Sequence, residues 1–408
     1  MGLDIGLCQS GFNLIGTVEK DKWCRKTIAL NHSENLLLGE DVAQLEKRTV
    51  DGVLDGQSLT LIAGGPPCQS FSTGGKRIGL SDPRGNMIFE YFRIIRENRP
   101  EYFIFENVAN LITAPIKHRP IAERPGKNWN LRSYSTKNDQ AHSTFPPLEK
   151  EELSGSAIRY LLDEIENLNY SIKLGILDAS EHGAAQKRLR FIMIGCRDFE
   201  APDLPEITHG DRAGLRDVRT LRDVIYDLQT DPGAHSRYTE AMASYFNMVP
   251  EGGNWRSIPL AAQKAFLGKS FHAGGGKTGF LRRLSWDRPC PTLTTKANRK
   301  STALCHPVAT RPLSVKEFAR IQGFPDNWKF SGAMNQQYKQ IGNAVPVAIG
   351  RTLGEVIMDH KLKPDAQKFP AIPSDRPALE SMIETASLKL RRAARNHRTS
   401  KTQLKMNF

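Results

Sequence analysis

Cys68 is the residue in this sequence best placed to act as a nucleophile. It sits in Gly64-Gly65-Pro66-Pro67-Cys68-Gln69-Ser70-Phe71-Ser72, directly after the apolar run Leu59-Thr60-Leu61-Ile62-Ala63. A strand feeding a tight turn can present a thiol at the edge of an α/β sheet, where ligands bind beyond the carboxyl ends of strands. The two prolines fix φ in succession and the glycines allow close approach, so the thiol is expected to be held in one place. Lys76, Arg77 and Arg84 follow, and nearby positive charge favours the thiolate. Read alone, Cys68 fits equally well as a small buried hydrophobe in a turn.

Four further segments bear on that choice. Glu106-Asn107-Val108 closes a short apolar strand, and a carboxylate there can hold a proton, bond an amidine-like ring edge, or simply cap a helix. Gln186-Lys187-Arg188-Leu189-Arg190 precedes the apolar strand Phe191 to Gly195. In extended geometry Gln186, Arg188 and Arg190 would share one face, aligning an amide with two guanidinium groups suited to phosphate, carboxylate or a base carbonyl; a solvated strand end is the plain alternative. Arg311-Pro312-Leu313-Ser314 leads through a helix to Gln322-Gly323-Phe324-Pro325, and Gln340-Ile341-Gly342-Asn343-Ala344-Val345-Pro346 forms a turn into a last apolar helix.

These chemical residues need a frame. Periodicity predicts a strand at Asn13 to Val18, a helix from about Asp21 to Asn31, and a strand at Leu59 to Ala63. It then predicts a helix at Ile88 to Asn98, a strand at Glu101 to Phe105 and a helix at Ala157 to Leu168, with strands at Ser171 to Leu177 and Phe191 to Gly195. Such alternation implies a parallel sheet covered on both faces, with Glu19, Cys68 and Glu106 at its carboxyl edge. Residues 115–147 are polar and proline-rich, which reads as a long loop or insertion. From Cys196 to about Phe280 the strand–helix rhythm is lost, as expected of a separate irregular module.

The 408 residues carry 57 Lys and Arg against 44 Asp and Glu, a formal charge of +13 that points to a polyanion such as nucleic acid. Part of the excess lies in Lys389, Arg391, Arg392, Arg395, Arg398, Lys401 and Lys405, a basic tail expected to be partly helical or disordered and simply solvated. The six cysteines are scattered without zinc spacing, so no metal or disulfide framework is expected, and a reducing compartment is the simpler assumption. No stretch is apolar enough to span a membrane, and no signal-peptide core is present. The expectation is a cytoplasmic, nucleoid-associated protein.

Taken together and in this order, Pro-Pro-Cys-Gln, Glu-Asn-Val, Gln-x-Arg-x-Arg, Arg-Pro-Leu-Ser…Gln-Gly-Phe-Pro and Gly-Asn-Ala-Val-Pro resemble the DNA (cytosine-5)-methyltransferase family of bacterial restriction–modification systems. The resemblance covers residues 2–110, 155–196 and 280–360. It implies an α/β, Rossmann-like S-adenosylmethionine-dependent sheet with a second, smaller, irregular target-recognition domain. The corresponding division is 1–195 for the catalytic and cofactor domain, 196–335 for target recognition, 336–361 for a returning segment and 362–408 for the tail. It also implies site-specific methylation of cytosine carbon 5 in double-stranded DNA by a monomer whose cognate endonuclease forms no stable complex with it.

By the same resemblance Cys68 adds to carbon 6 of a flipped-out base, Glu106 holds ring nitrogen 3 and the exocyclic amine, and Arg190 holds the carbonyl while Arg188 orders the site. Gly2, Glu19, Lys20, Asp41, Val42, Pro66, Met87, Asn343 and Val345 are implied for S-adenosylmethionine. Gln69, Ser72, Lys76, Arg84, Gln186, Thr294 and Thr295 are implied for DNA; Ser72 to Met87 would form a loop that closes over the base, and Arg283 to Lys296 lies near the end of the recognition module. The family pattern also implies a strand and a Phe-x-Gly-x-Gly turn ahead of Gly2. This sequence opens inside that turn, and the expectation is a start codon assigned within the gene and weak cofactor binding by residues 1–408. Two alternatives stay open: the same chemistry on tRNA, and a catalytically impaired DNA-binding remnant.

Overall fold

Apolar runs of two kinds build the frame: continuous ones that become buried strands, and amphipathic ones that cover them. The computed structural model describes residues 1–32, 36–67, 86–117, 119, 149–272, 279–363 and 373–403. They fall into two compact units, one of residues 1–40, 178–188 and 205–355, the other of 41–177, 189–204 and 356–408.

The first unit opens with helix α1 (Gly2–Gln9), strand β1 (Thr17–Val18), helix α2 (Lys22–Asn31) and strand β2 (Leu37–Gly39). Asp21 starts α2 by accepting from the Trp23 and Cys24 N–H groups, and β1 pairs in parallel with β2. The predicted strand at Asn13 to Val18 shrinks to two residues, because only Thr17 and Val18 find ladder partners.

The second unit holds helix α3 (Lys47–Leu54), strand β3 (Leu61–Gly64), helix α4 (Asn86–Asn98), strand β4 (Tyr102–Val108), helix α5 (Ser156–Glu166) and strand β5 (Ser171–Asp178). After the short strand β6 (Gln186–Lys187) of the first unit, strand β7 (Leu189–Cys196) completes a four-stranded sheet in the order β3-β4-β7-β5. The predicted all-parallel sheet is corrected here. β3 and β4 are parallel, but β7 runs antiparallel to β4. The connection from β5 to β7, Ala179 to Arg188, carries only a 3-10 turn and β6, and a parallel crossover needs a longer, usually helical, link. α4 and α5 bury Phe92, Ile95, Ile158 and Leu161 against Phe103, Phe105, Phe191 and Ile172.

Beyond β7 the first unit resumes with short helices and two-residue strands, as the irregular composition predicts: α6 (Arg222–Ile225), α7 (Glu240–Asn247), α8 (Leu260–Leu267), β8 (Arg282–Arg283), β9 (Cys290–Pro291) and β10 (Leu304–Cys305). Longer helices follow, α9 (Val315–Gln322), α10 (Met334–Asn343) and α11 (Val347–Leu362). The tail contains a final helix, α12 (Arg376–Gln403), whose Leu379, Ile383, Ala386 and Leu390 are buried in the core of the second unit. That part of the tail is docked structure rather than a solvated run. No helix among the described residues is long and apolar enough to cross a membrane.

Candidate active site

The register of β4 against β7 decides the first part of the site. Glu106 lies opposite Ile192 and Val108 opposite Arg190, so Glu106 and Arg190 are diagonal neighbours on one sheet face. Arg190 Nε stands 2.6 Å from Glu106 Oε1, and each side chain is only 10% exposed. β4 continues through Val108, which puts Glu106 inside the strand rather than after it.

The exit of β3 is fastened to the same place. A Cβ on Gly65 would stand 2.6 Å from Glu106 Oε2, so the backbone passes over the carboxylate at a distance only glycine permits. The Asn107 amide donates to Pro66 O at 3.2 Å. Tyr91 donates to Ile104 O at 2.6 Å and lies 3.3 Å from Ile62 O, bridging β3 and β4; burial pushes its phenol well above the ordinary range. The chain therefore leaves Pro66 and Pro67 for Cys68 from a fixed position beside Glu106. Cys68, Gln69, Ser72, Lys76 and Arg84 lie outside the described residues, as does the loop from Ser72 up to α4; Met87 is half-buried in the first turn of α4.

The Gln-x-Arg-x-Arg segment keeps the expected alternation, with Gln186, Arg188 and Arg190 buried and Lys187 exposed, so it is no solvated strand end. Gln186 is fully buried, with its amide given to Gln322 Oε1 (2.9 Å) and its oxygen accepting from the Leu293 N–H (3.0 Å). Arg188 donates to Leu293 O at 3.0 Å and Gly342 O at 2.8 Å. The reading of Gln186 as a DNA contact is corrected on this point: its polar atoms are turned inward to protein partners, and a buried amide is used there because each unmade bond is costly. Arg283 is likewise buried and spends its guanidinium on the carbonyls of Phe246, Val249, His306 and Val308, so this member of the Arg283 to Arg288 run is a brace rather than a phosphate contact.

The residues assigned to the cofactor are distributed over both units. A Cβ on Gly2 would stand 2.0 Å from Val345 O, which brings the start of α1 directly onto the Asn343–Val345 turn; Asn343 is exposed there. Glu19 follows β1, its carboxylate accepting from the Asp21 N–H at 2.8 Å, and Lys20 is exposed beside it. In the second unit Asp41 accepts from Ala43 N–H at 3.1 Å and Val42 O accepts from Arg93 at 3.0 Å. Thr294 and Thr295 are half-buried in the turn after β9, with Thr294 Oγ1 donating to Lys296 O at 3.2 Å. Sequence reasoning passed over two residues that carry the geometry: Gln322, taken as ordinary helix, and Asp178, which accepts from the Arg188 N–H at 3.0 Å.

The comparisons bear on all of these elements. A family model described as C-5 cytosine-specific DNA methylase matches residues 1–119 and 150–359, leaving out most of the proline-rich segment read as an insertion. The Type II methyltransferase M.PspPI of Psychrobacter sp. (strain TA137) is 35% identical over 364 residues, 88% of this chain and 76% of that protein. The Type II methyltransferase M.Sau96I of Staphylococcus aureus is 33% identical over 88% of this chain and 74% of its own length. Among solved structures, a DNA modification methyltransferase encoded within an E. coli prophage matches with a TM-score of 0.54 at 21% identity, covering 88% of this chain and 95% of that one. The Entamoeba histolytica methyltransferase EhMeth matches with a TM-score of 0.51 at 16% identity, over 89% and 96%. These two establish likeness of fold.

Proposed function

The chain belongs to the C-5 cytosine-specific DNA methylase family, and from that premise we propose that it methylates carbon 5 of cytosine in duplex DNA through Cys68, Glu106 and Arg190, as the modification enzyme of a restriction–modification system. The observation that carries the assignment of residues is the Glu106–Arg190 pair beneath the β3 exit, with Gly65 passing over the carboxylate and Asn107 holding Pro66.

Cytosine carbon 5 is too weak a nucleophile to take a methyl group directly. Addition of the Cys68 thiolate to carbon 6 pushes the ring electrons toward carbon 5, and Glu106 at ring nitrogen 3 stabilises that charge by keeping the nitrogen protonated. Arg190 holds the Glu106 carboxylate in place and presents its remaining N–H groups to the base carbonyl. After methyl transfer, loss of the carbon 5 proton and departure of the thiolate restore the aromatic ring. The reacting atoms are hidden in a stacked duplex, so the base must leave the stack.

S-adenosylmethionine supplies an electrophilic methyl group when bound. The residues present suit it: Glu19 presents a carboxylate of the kind that bonds ribose hydroxyls, and Asn343 is exposed on the turn against which Gly2 packs. Of the residues assigned to it, Gly2, Glu19, Lys20, Asn343 and Val345 lie in the first unit and Asp41, Val42, Pro66 and Met87 in the second. Thr294 and Thr295 would meet the DNA.

The test is covalent trapping on duplex DNA synthesised with 5-fluorocytosine in place of every cytosine. Fluorine at carbon 5 cannot depart as a proton does, so the enzyme stalls on its product. A denaturation-resistant protein–DNA adduct that needs S-adenosylmethionine and is lost in Cys68→Ala supports the reading. Its absence in the wild-type chain, or its persistence in Cys68→Ala, refutes it.

A further inference from the structure

Two buried side chains tie the first unit's two assigned turns together: Arg188, through Leu293 O and Gly342 O, and Gln322, which no part of the chemistry above uses. α9 is fixed at both ends. Ser314 accepts from the Glu317 N–H at 3.0 Å while Glu317 accepts from the Ser314 N–H at 2.6 Å, and Gly323 closes the helix at φ 88°. Arg311 clamps Glu317 with two bonds of 2.7 and 2.8 Å. Gln322, the last residue of this rigid helix, is 1% exposed.

Its amide belongs to a directed chain of hydrogen bonds. The Leu293 N–H donates to Gln186 Oε1, Gln186 Nε2 donates to Gln322 Oε1, and Gln322 Nε2 donates to Ile341 O at 2.6 Å with Ala344 O at 3.3 Å. A main-chain donor stands at one end and main-chain acceptors at the other, so neither amide can flip without losing bonds at both ends. The chain begins one residue before Thr294 and ends on both sides of Asn343. The same two turns touch at Gly342, where a Cβ would stand 2.5 Å from Thr294 O.

We propose that Gln322 is a positioning residue that couples the turn assigned to DNA, Thr294–Thr295, to the turn assigned to the cofactor, Asn343–Val345. The proposal rests on those assignments. Ordering either turn sets the position of the other through the amide chain, so each ligand raises the affinity for the other by the same factor.

The experiment is calorimetric titration of S-adenosylhomocysteine into residues 1–408, with and without sheared, cytosine-unmethylated genomic DNA, on wild type, Gln322→Leu and Gln322→Glu. The wild type is expected to bind about 10-fold tighter with DNA present, within the usual range of such couplings. Gln322→Leu removes both links and reduces the factor to below about 2, with DNA-free affinity changed less than about 3-fold. Gln322→Glu still accepts from Gln186 but cannot donate to Ile341 and Ala344; it also loses most of the coupling, and it carries the test alone if the leucine variant fails to fold. A merely structural glutamine would lower the melting temperature and leave the ratio intact, and that result overturns the proposal. Wild-type binding of both ligands without coupling overturns it too, while the assignments stand. Failure of the wild type to bind either ligand refutes the assignments themselves, and the proposal with them.

Discussion

Gly65→Ala tests the geometry at the heart of the site with a single methyl group. The added Cβ would stand 2.6 Å from Glu106 Oε2, about 0.8 Å inside ordinary contact. A carboxylate on a free side chain would swing aside, but this one is pinned by Arg190 at 2.6 Å, and the backbone on the other side is held by Asn107 on Pro66. The strain therefore moves Glu106 and the Gly65–Pro67 backbone apart by most of an ångström. Misplacement on that scale costs about 10²-fold in rate, or about 2.7 kcal/mol of barrier. The assay is single-turnover transfer of a tritiated methyl group into DNA at saturating donor, alongside thermal unfolding. Gly52→Ala in α3 is the control: its Cβ would meet nothing within 4 Å, so the rate is unchanged and stability rises by about 0.5–1 kcal/mol. A Gly65→Ala rate within about 3-fold of wild type, or one reduced only in proportion to unfolded protein, would refute the argument.

Three other outcomes follow from the same structure. Arg188→Met strips two charged hydrogen bonds from Leu293 O and Gly342 O, and unfolding measurements should register a loss of about 3 kcal/mol or more. Arg283→Met removes the guanidinium from the carbonyls of Val249, His306 and Val308 and leaves Phe246 O only its main-chain donor; it should cost more than about 4 kcal/mol or prevent folding, as chemical denaturation would reveal. Burial holds His306 neutral, with its pKa lowered to about 4, against the pull of Glu317 3.8 Å away. The unfolded chain then takes up a proton near the ordinary histidine pKa of about 6.5 while the folded chain does not. Stability is therefore full above that pH and falls as pH drops toward 4, by about 3 kcal/mol in total; the fall between pH 6.5 and 5 should flatten in His306→Gln, and an unchanged slope there would count against this assignment.

Much of the frame was legible because burial and periodicity are local. The apolar runs at Leu59 to Ala63, Glu101 to Phe105 and Phe191 to Gly195 became β3, β4 and β7 within a few residues of expectation. The direction of β7 was not legible in its own residues, since an apolar strand reads the same in either sense; it follows from the helix-free connection before it. The two arginines of Gln-x-Arg-x-Arg have the same type and spacing, yet Arg190 goes to Glu106 and Arg188 to carbonyls 105 and 154 residues away. No local pattern carries partners that distant. Gln322 was hidden for the same reason: one amide on an amphipathic helix signals nothing until its acceptors at Ile341 and Ala344 are known. Close approach at Gly65 was legible from its type, but its partner, a carboxylate 41 positions later, was not.

The central claim is methylation of cytosine carbon 5 by the site built around Cys68, Glu106 and Arg190. The most direct measurement is bisulfite sequencing of DNA from a methylation-free bacterial host expressing residues 1–408, compared with the same host expressing Cys68→Ala. Methylation accumulates over generations, so this readout registers slow turnover as well as fast. Protected cytosines in one recurring sequence context, absent from the Cys68→Ala host, are the predicted result. A fully converted genome in the presence of folded wild-type protein, or protection that survives loss of the Cys68 thiol, would contradict the account.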